Sequence, residues 1–122
     1  MCSHDIFLFT SDKNEGWGVV LNESMGSGCC VVASDAIGSV PYLIKHKETG
    51  MIYRSGELGD LVQKVKYLID NPSQRRNIAQ KGHQQILNVW SPMNAVSNFM
   101  RLIDDLRKEK SSSIVDGPCS IA

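Results

Sequence analysis

This sequence has no excess of charge of either sign. Lys+Arg and Asp+Glu each number 13, and no basic run is longer than the Arg75–Arg76 pair. Proteins that hold nucleic acid concentrate Lys and Arg on one face, so nucleic acid is not an expected partner. A neutral chain repels copies of itself weakly, so self-association through an exposed apolar face is expected. No apolar stretch approaches the ~20 residues that span a bilayer, so no transmembrane segment is expected. Met1-Cys2-Ser3-His4-Asp5 has no basic region of the kind that opens a signal peptide. Cysteine is sparse too. Cys2, Cys29, Cys30 and Cys119 form no CxxC pair and no zinc spacing. His4, His46 and His83 are scattered, so no metal is expected. Cys29 and Cys30 sit side by side in an apolar run and read as two buried free thiols. That points to a reducing, cytoplasmic compartment.

The remaining composition is ordinary. Of 122 residues, 42% are hydrophobic and 21% charged, which suits one small globular domain or part of a larger one.

Two short apolar runs dominate the first third. Ile6-Phe7-Leu8-Phe9-Thr10 and Cys29-Cys30-Val31-Val32-Ala33 each end in polar loop residues. Continuous β-formers of this length predict strands buried on both faces, as in a parallel sheet. Between them, Gly18 to Gly28 suits a short helix with glycines at its end, giving a βαβ unit. Val40 to Ile44 predicts a helical turn with Pro41 near its start. Lys47-Glu48-Thr49-Gly50 is turn-like, and Met51-Ile52-Tyr53 predicts a third strand.

The rest predicts helices. Leu58, Leu61, Val62, Val65, Leu68 and Ile69 follow the i, i+3, i+4 rule. Asn71-Pro72 and Ser91-Pro92 each pair an N-cap type with a proline suited to the first helical position. They predict one helix to about Val89 and a last one with a stripe of Val96, Phe99, Met100, Ile103 and Leu106. Trp90 reads as a packing anchor at the junction. From Lys108 the sequence turns polar, so residues 109–122 are expected to be a disordered tail.

The chemistry concentrates in Glu15-Gly16-Trp17-Gly18-Val19-Val20-Leu21-Asn22-Glu23. This stretch follows a predicted strand and opens a helix. In open α/β sheets ligands bind beyond the carboxyl ends of the strands. Gly16 and Gly18 allow close backbone approach and positive φ. Helix-start N–H groups and the helix dipole favour phosphate. Carboxylates repel phosphate but accept hydrogen bonds from sugar hydroxyls. Glu15 and Glu23 therefore frame an anion site with two hydroxyl-binding groups, the layout of a nucleoside diphosphate sugar. The alternative is an ordinary glycine turn with two solvated acids.

The order of segments resembles a known family. Asp5 to Ser11, Glu15 to Met25, Gly28 to Asp35 and Glu48-Thr49-Gly50-Met51-Ile52 are together similar to retaining glycosyltransferases of family 4. Glu15 and Glu23 match that family's Glu-x7-Glu motif. The likeness runs from Asp5 to about Pro92. It implies an α/β, Rossmann-like half-domain with about three parallel strands, the C-terminal part of a GT-B nucleotide-sugar-binding domain, over residues 1–108. It also implies that Glu15 meets hydroxyls of the transferred sugar and is the catalytic candidate. Gly16, Trp17, Gly18 and Val19 would meet that sugar and the diphosphate, and Glu23 the ribose. No cofactor or metal is implied. The partners implied are a nucleotide-sugar donor and an N-terminal acceptor domain that these residues do not include, so the chain alone is expected to be inactive. The full-length protein would be cytoplasmic or peripheral to a membrane. Two positions depart from the family pattern. Trp17 stands where Phe is more usual, and Tyr42, in Ile37-Gly38-Ser39-Val40-Pro41-Tyr42, stands where the family often has a carboxylate. Two other readings are a non-catalytic interaction or sugar-nucleotide-binding module, and another GT-B-type enzyme such as a nucleotide-sugar epimerase. The Glu-x7-Glu motif favours the transferase over the epimerase.

Overall fold

A computed structural model of the chain describes residues 4–120. Its elements run β1 (Ile6–Phe9), α1 (Val19–Gly26), β2 (Cys30–Ser34), α2 (Val40–Leu43), β3 (Met51–Tyr53), α3 (Leu58–Asp70), α4 (Pro72–Asn88) and α5 (Pro92–Arg107). The strands form one parallel sheet in the order β1-β2-β3. Ile6 pairs with Cys30 and Phe9 with Ala33, while Val32 pairs with Met51 and Ser34 with Tyr53.

β2 lies at the centre and all five of its residues are buried. Alternation along the strand sends its side chains to opposite faces. Val31 and Ala33 join one core, with Phe9, Leu21, Met25, Ile37, Val40, Leu43 and Ile44. Cys30 and Val32 join the other, with Met51, Tyr53, Leu68 and Ile78. Full burial of a side chain such as Leu21 or Met25 contributes about 1.5–3 kcal/mol. α4 borders both cores, through Ile78 on one and Ile86 on the other. It passes so close to the Lys47–Gly50 turn that a Cβ at Gly82 would lie 2.5 Å from the Thr49 carbonyl oxygen.

Four expectations need correction. β1 is not buried on both faces. Only Phe9 is buried, and Leu8 is 45% exposed, on an open groove that it shares with α3 residues. The α3 stripe is only partly covered: Leu68 is buried, but Leu58, Val62 and Ile69 are exposed. Leu8, Val62 and Ile69 flank an open apolar groove of about 310 Å³ that Leu61, Val65 and Lys66 also line. Asn71 does not cap α4 with its side chain. Its Nδ2 instead donates to the Tyr67 carbonyl at 2.8 Å and closes the end of α3. Finally, Cys30 is a buried free thiol but Cys29 is disulfide-bonded, so the pair does not argue for a reducing compartment.

Ser91 does cap its helix, its Oγ accepting from the Asn94 N–H at 3.2 Å. Gly28 takes the left-handed position after α1, with φ 83°, and donates to the Met25 carbonyl. In α5, Val96, Phe99, Met100 and Leu106 face outward, and the buried side chain is Asn98. Its Nδ2 donates to the Pro118 carbonyl at 2.9 Å. The stretch 109–122, set apart as a disordered tail, is described as far as Ser120 and carries no helix or strand. Ser113 within it donates from both N–H and Oγ to the Asp105 carboxylate, at 3.0 and 2.8 Å. Among the described residues no helix is long and apolar enough to cross a membrane.

Candidate functional site

Because the strands are parallel, the loops after β1 and β2 leave the sheet at the same end. The first loop carries Thr10 to Gly18 and the second Asp35 to Ser39. Ligands in open α/β sheets bind at this end. The two loops are joined there by one backbone hydrogen bond, from Gly38 N–H to the Gly16 carbonyl at 3.1 Å.

Gly18 ends the first loop in the left-handed region, φ 71° and ψ 63°. A Cβ there would meet the Phe9 ring at 2.7 Å, so both backbone angle and space require glycine. Gly18 serves as the N-cap of α1. No side chain caps this helix start, and its first turn carries no acidic residue. An uncapped helix N-terminus is a favourable place for an anion. Val19 and Val20 beside it are exposed.

Glu15 is half-buried, in a turn closed by its N–H donating to the Asp12 carbonyl at 3.1 Å. It shares with Thr10, Ser11, Asp12 and Asn14 the rim of an open polar depression of about 440 Å³. Asn14 is tied to the Asp12 carboxylate by its N–H and its Nδ2, at 2.8 and 3.1 Å. Glu23 is exposed on α1, beyond buried Leu21 and before buried Ser24 and Met25.

Trp17 is 42% exposed, and its Nε1 donates to Asn22 Oδ1 at 3.0 Å. Its ring packs on Tyr42 and on Trp90, with centroids 5.5 Å away in each case. Glu15, Gly16, Trp17, Gly18 and Val19 thus form one loop and helix start, with Glu23 a turn farther on. The sequence reading missed that Gly38, Tyr42 and Trp90 brace this loop. The signal for Gly38 and Tyr42 was present, since a parallel partner strand delivers its following loop to the same end.

Cys30, Arg75 and His46 do not line the Glu15 depression. Burial pushes the Cys30 thiol up to about 11, against a smaller lowering by Arg75, so it stays protonated and inert at neutral pH. Arg75 donates to the Leu68 carbonyl and to Asp5, so one of the two adjacent arginines ties the end of α3 to the start of β1. His46 Nδ1 accepts from the Ile52 N–H at 2.9 Å. Among the described residues no group of three or more His, Cys, Asp or Glu could hold a metal.

The family model described as "Glycosyl transferases group 1" matches residues 1–85. The chain belongs to this family. N-acetyl-alpha-D-glucosaminyl L-malate synthase of Bacillus anthracis is 25% identical over 111 residues, 90% of this chain and 29% of that protein. Sulfoquinovosyl transferase SQD2 of Arabidopsis thaliana is 31% identical over 86 residues, 68% of this chain and 16% of that protein. The chain therefore spans less than a third of the curated relatives it matches. Among solved structures, the C-terminal domain of a group 1 glycosyl transferase (LpcC) from Francisella tularensis superposes with TM-score 0.63 at 32% identity. That match covers 68% of this chain and 42% of the other. Anabaena Alr3699/HepE, solved in complex with UDP, gives TM-score 0.69 at 24% identity over 85% of this chain and 28% of that one. The three-stranded parallel sheet with its helices is thus the fold of GT-B glycosyltransferase C-terminal domains.

Proposed function

We propose that this chain carries the donor-binding portion of a retaining, family 4 glycosyltransferase. One juxtaposition supports the reading best. A half-buried carboxylate, Glu15, precedes an uncapped helix start opened by left-handed Gly18, and a second carboxylate, Glu23, stands exposed on that helix. The group 1 family match covers all of these residues.

In this reading Glu15 is the catalytic candidate and accepts hydrogen bonds from hydroxyls of the transferred sugar. N–H groups around Gly16, Trp17, Gly18 and Val19 meet the diphosphate, helped by the α1 dipole. Glu23 accepts from the ribose hydroxyls. No metal takes part, because backbone donors and the dipole hold the diphosphate. An acceptor domain outside these 122 residues completes the enzyme, in line with the small share of its relatives that the chain spans. Stabilising the leaving diphosphate is a large part of such catalysis, and we assign that task to the rest of the protein. The 122-residue chain alone then transfers no sugar.

Calorimetric titration of the full-length protein with UDP- and GDP-sugars tests the ribose role. Glu23→Ala removes a charge-assisted hydrogen bond worth about 1.5–3 kcal/mol, so affinity for the preferred donor should fall roughly 10- to 150-fold. Equal affinity in the variant would remove Glu23 from the site.

A further inference from the structure

Trp17, Tyr42 and Trp90 come from three separate parts of the chain and close into a triangle. Trp17 meets Tyr42 and Trp90 at ring-centroid distances of 5.5 Å each, tilted by 37° and 45°, and Tyr42 meets Trp90 edge-on at 6.5 Å. Trp17 lies in the loop before α1, Tyr42 in α2, and Trp90 in the turn between α4 and α5. Trp90 keeps its ring in this cluster although its Nε1 is buried without a hydrogen-bond partner.

The position of Trp17 gives the cluster its consequence. It stands between Gly16 and Gly18, and a glycine on each side gives a loop the greatest backbone freedom to lose. Neither glycine has a side chain to anchor. The Trp17 indole is therefore the side-chain handle of the Gly16–Gly18 segment, held by Asn22 at its N–H and by two rings. At the backbone the segment is tied at both ends, the Gly16 carbonyl accepting from Gly38 N–H at 3.1 Å and the Gly18 carbonyl from Leu21 N–H at 2.9 Å.

We propose that Tyr42 and Trp90 are positioning residues for the ligand loop. They fix Trp17, and through it they hold the Gly16–Val19 backbone in its binding geometry before a ligand arrives. Preorganisation of this kind raises affinity by removing an ordering cost from the binding step. The role assigned to the loop rests on the donor-binding reading, but the ordering of the loop does not.

Amide hydrogen exchange of the 122-residue chain, read residue by residue by NMR, tests it. The reporters are the N–H groups of Glu15, Leu21 and Gly38, which donate to Asp12, Gly18 and Gly16. Trp90→Leu and Tyr42→Leu each remove two ring contacts. They should speed exchange at these three amides by about 10-fold, with the amides of β2 unchanged. Trp90→Phe should restore most of the protection. If Trp90→Leu does not fold, Trp90→Phe is compared with wild type instead, and a smaller rise confined to the loop is expected. No change at the three amides overturns the proposal, as does an equal rise throughout β2. UDP titration separates this from the donor-binding reading. Failure of the full-length wild type to bind UDP- or GDP-sugars with any dependence on Glu23 sinks that reading alone. Unaltered loop exchange in the variants sinks the positioning role alone.

Discussion

Gly38 donates its backbone N–H to the carbonyl of Gly16 across 3.1 Å, and a Cβ at Gly38 would collide with that same carbonyl oxygen. The obstacle is backbone, which cannot swing aside as a flexible side chain would. Gly38→Ala must therefore push the loops after β1 and β2 apart, at the cost of overpacking, about 1–3 kcal/mol. A control sits on α3. A Cβ at Gly59 meets nothing within 4 Å, so Gly59→Ala should stabilise by about 0.5–1 kcal/mol through lost backbone freedom in the unfolded chain. Thermal melts of the two variants should move in opposite directions, by several degrees each. A shared direction would contradict this account of Gly38.

The difference between these two glycines also shows what the sequence can reveal. Strand and helix positions follow from periodicity and punctuation, and the observed elements fall where apolar runs, glycines and prolines set them. Burial follows less closely. The run from Ile6 to Phe9 is as apolar as a central strand, yet Leu8 is exposed, because how far α3 covers that face is set by tertiary packing and not by composition. Asn71 and Ser91 both precede proline, but only Ser91 caps. Asn71 has φ −125° and ψ 71°, and its amide is engaged by the preceding helix. Within the candidate site, the placement of the Glu15–Glu23 stretch between β1 and α1 was legible because one strand-to-helix turn holds it. The bracing by Trp90 was not, because it joins residues far apart in the chain, whereas for Gly38 and Tyr42 the parallel strands carried the signal.

Gly82 offers a second steric test. It lies inside α4, where glycine normally costs about 0.5–1 kcal/mol relative to alanine. A Cβ would stand 2.5 Å from the Thr49 carbonyl oxygen and 3.3 Å from Met25 Cε. Met25 can shift, but the turn backbone cannot do so easily. The local helix preference and the tertiary contact therefore oppose each other, and the contact should win. Gly82→Ala is expected to destabilise by about 1–3 kcal/mol in urea titration, with an unchanged slope. A gain in stability would show that the Lys47–Gly50 turn yields.

His46 gives a pH prediction of definite sign. Its Nδ1 accepts the Ile52 N–H, which requires that nitrogen to be unprotonated. Its pKa is lowered from the ordinary 6.5, first by burial and then by Lys64 and Lys47, with Asp60 opposing. The unfolded chain then binds this proton at a higher pH than the folded one. The His46 contribution is fully present above pH 6.5 and is lost as pH falls through the lower folded value. Asp60 and Asp105, both lowered by hydrogen bonds from backbone N–H groups, lose their contribution at more acid pH. His46→Gln should remove the part of the stability loss that begins just below pH 6.5 and leave the more acidic part. An identical pH profile for wild type and variant, measured by chemical denaturation between pH 4 and 8, would exclude this role.

The two pre-proline residues make the last comparison. Ser91 Oγ accepts from Asn94 N–H at 3.2 Å, satisfying one of the helix-start donors of α5 that would otherwise need water. Ser91→Ala should cost about 1 kcal/mol. Ser91→Asp should retain the bond and add a favourable charge at the helix N-terminus, restoring wild-type stability or exceeding it slightly. Asn71→Ala leaves the start of α4 untouched, because no side chain caps it there. It removes only the exposed bond to the Tyr67 carbonyl, worth about 0.5 kcal/mol. The order expected in denaturant midpoints is Ser91→Asp, Asn71→Ala, Ser91→Ala, from most to least stable. A larger loss in Asn71→Ala than in Ser91→Ala would mean that Asn71 supports α4 after all.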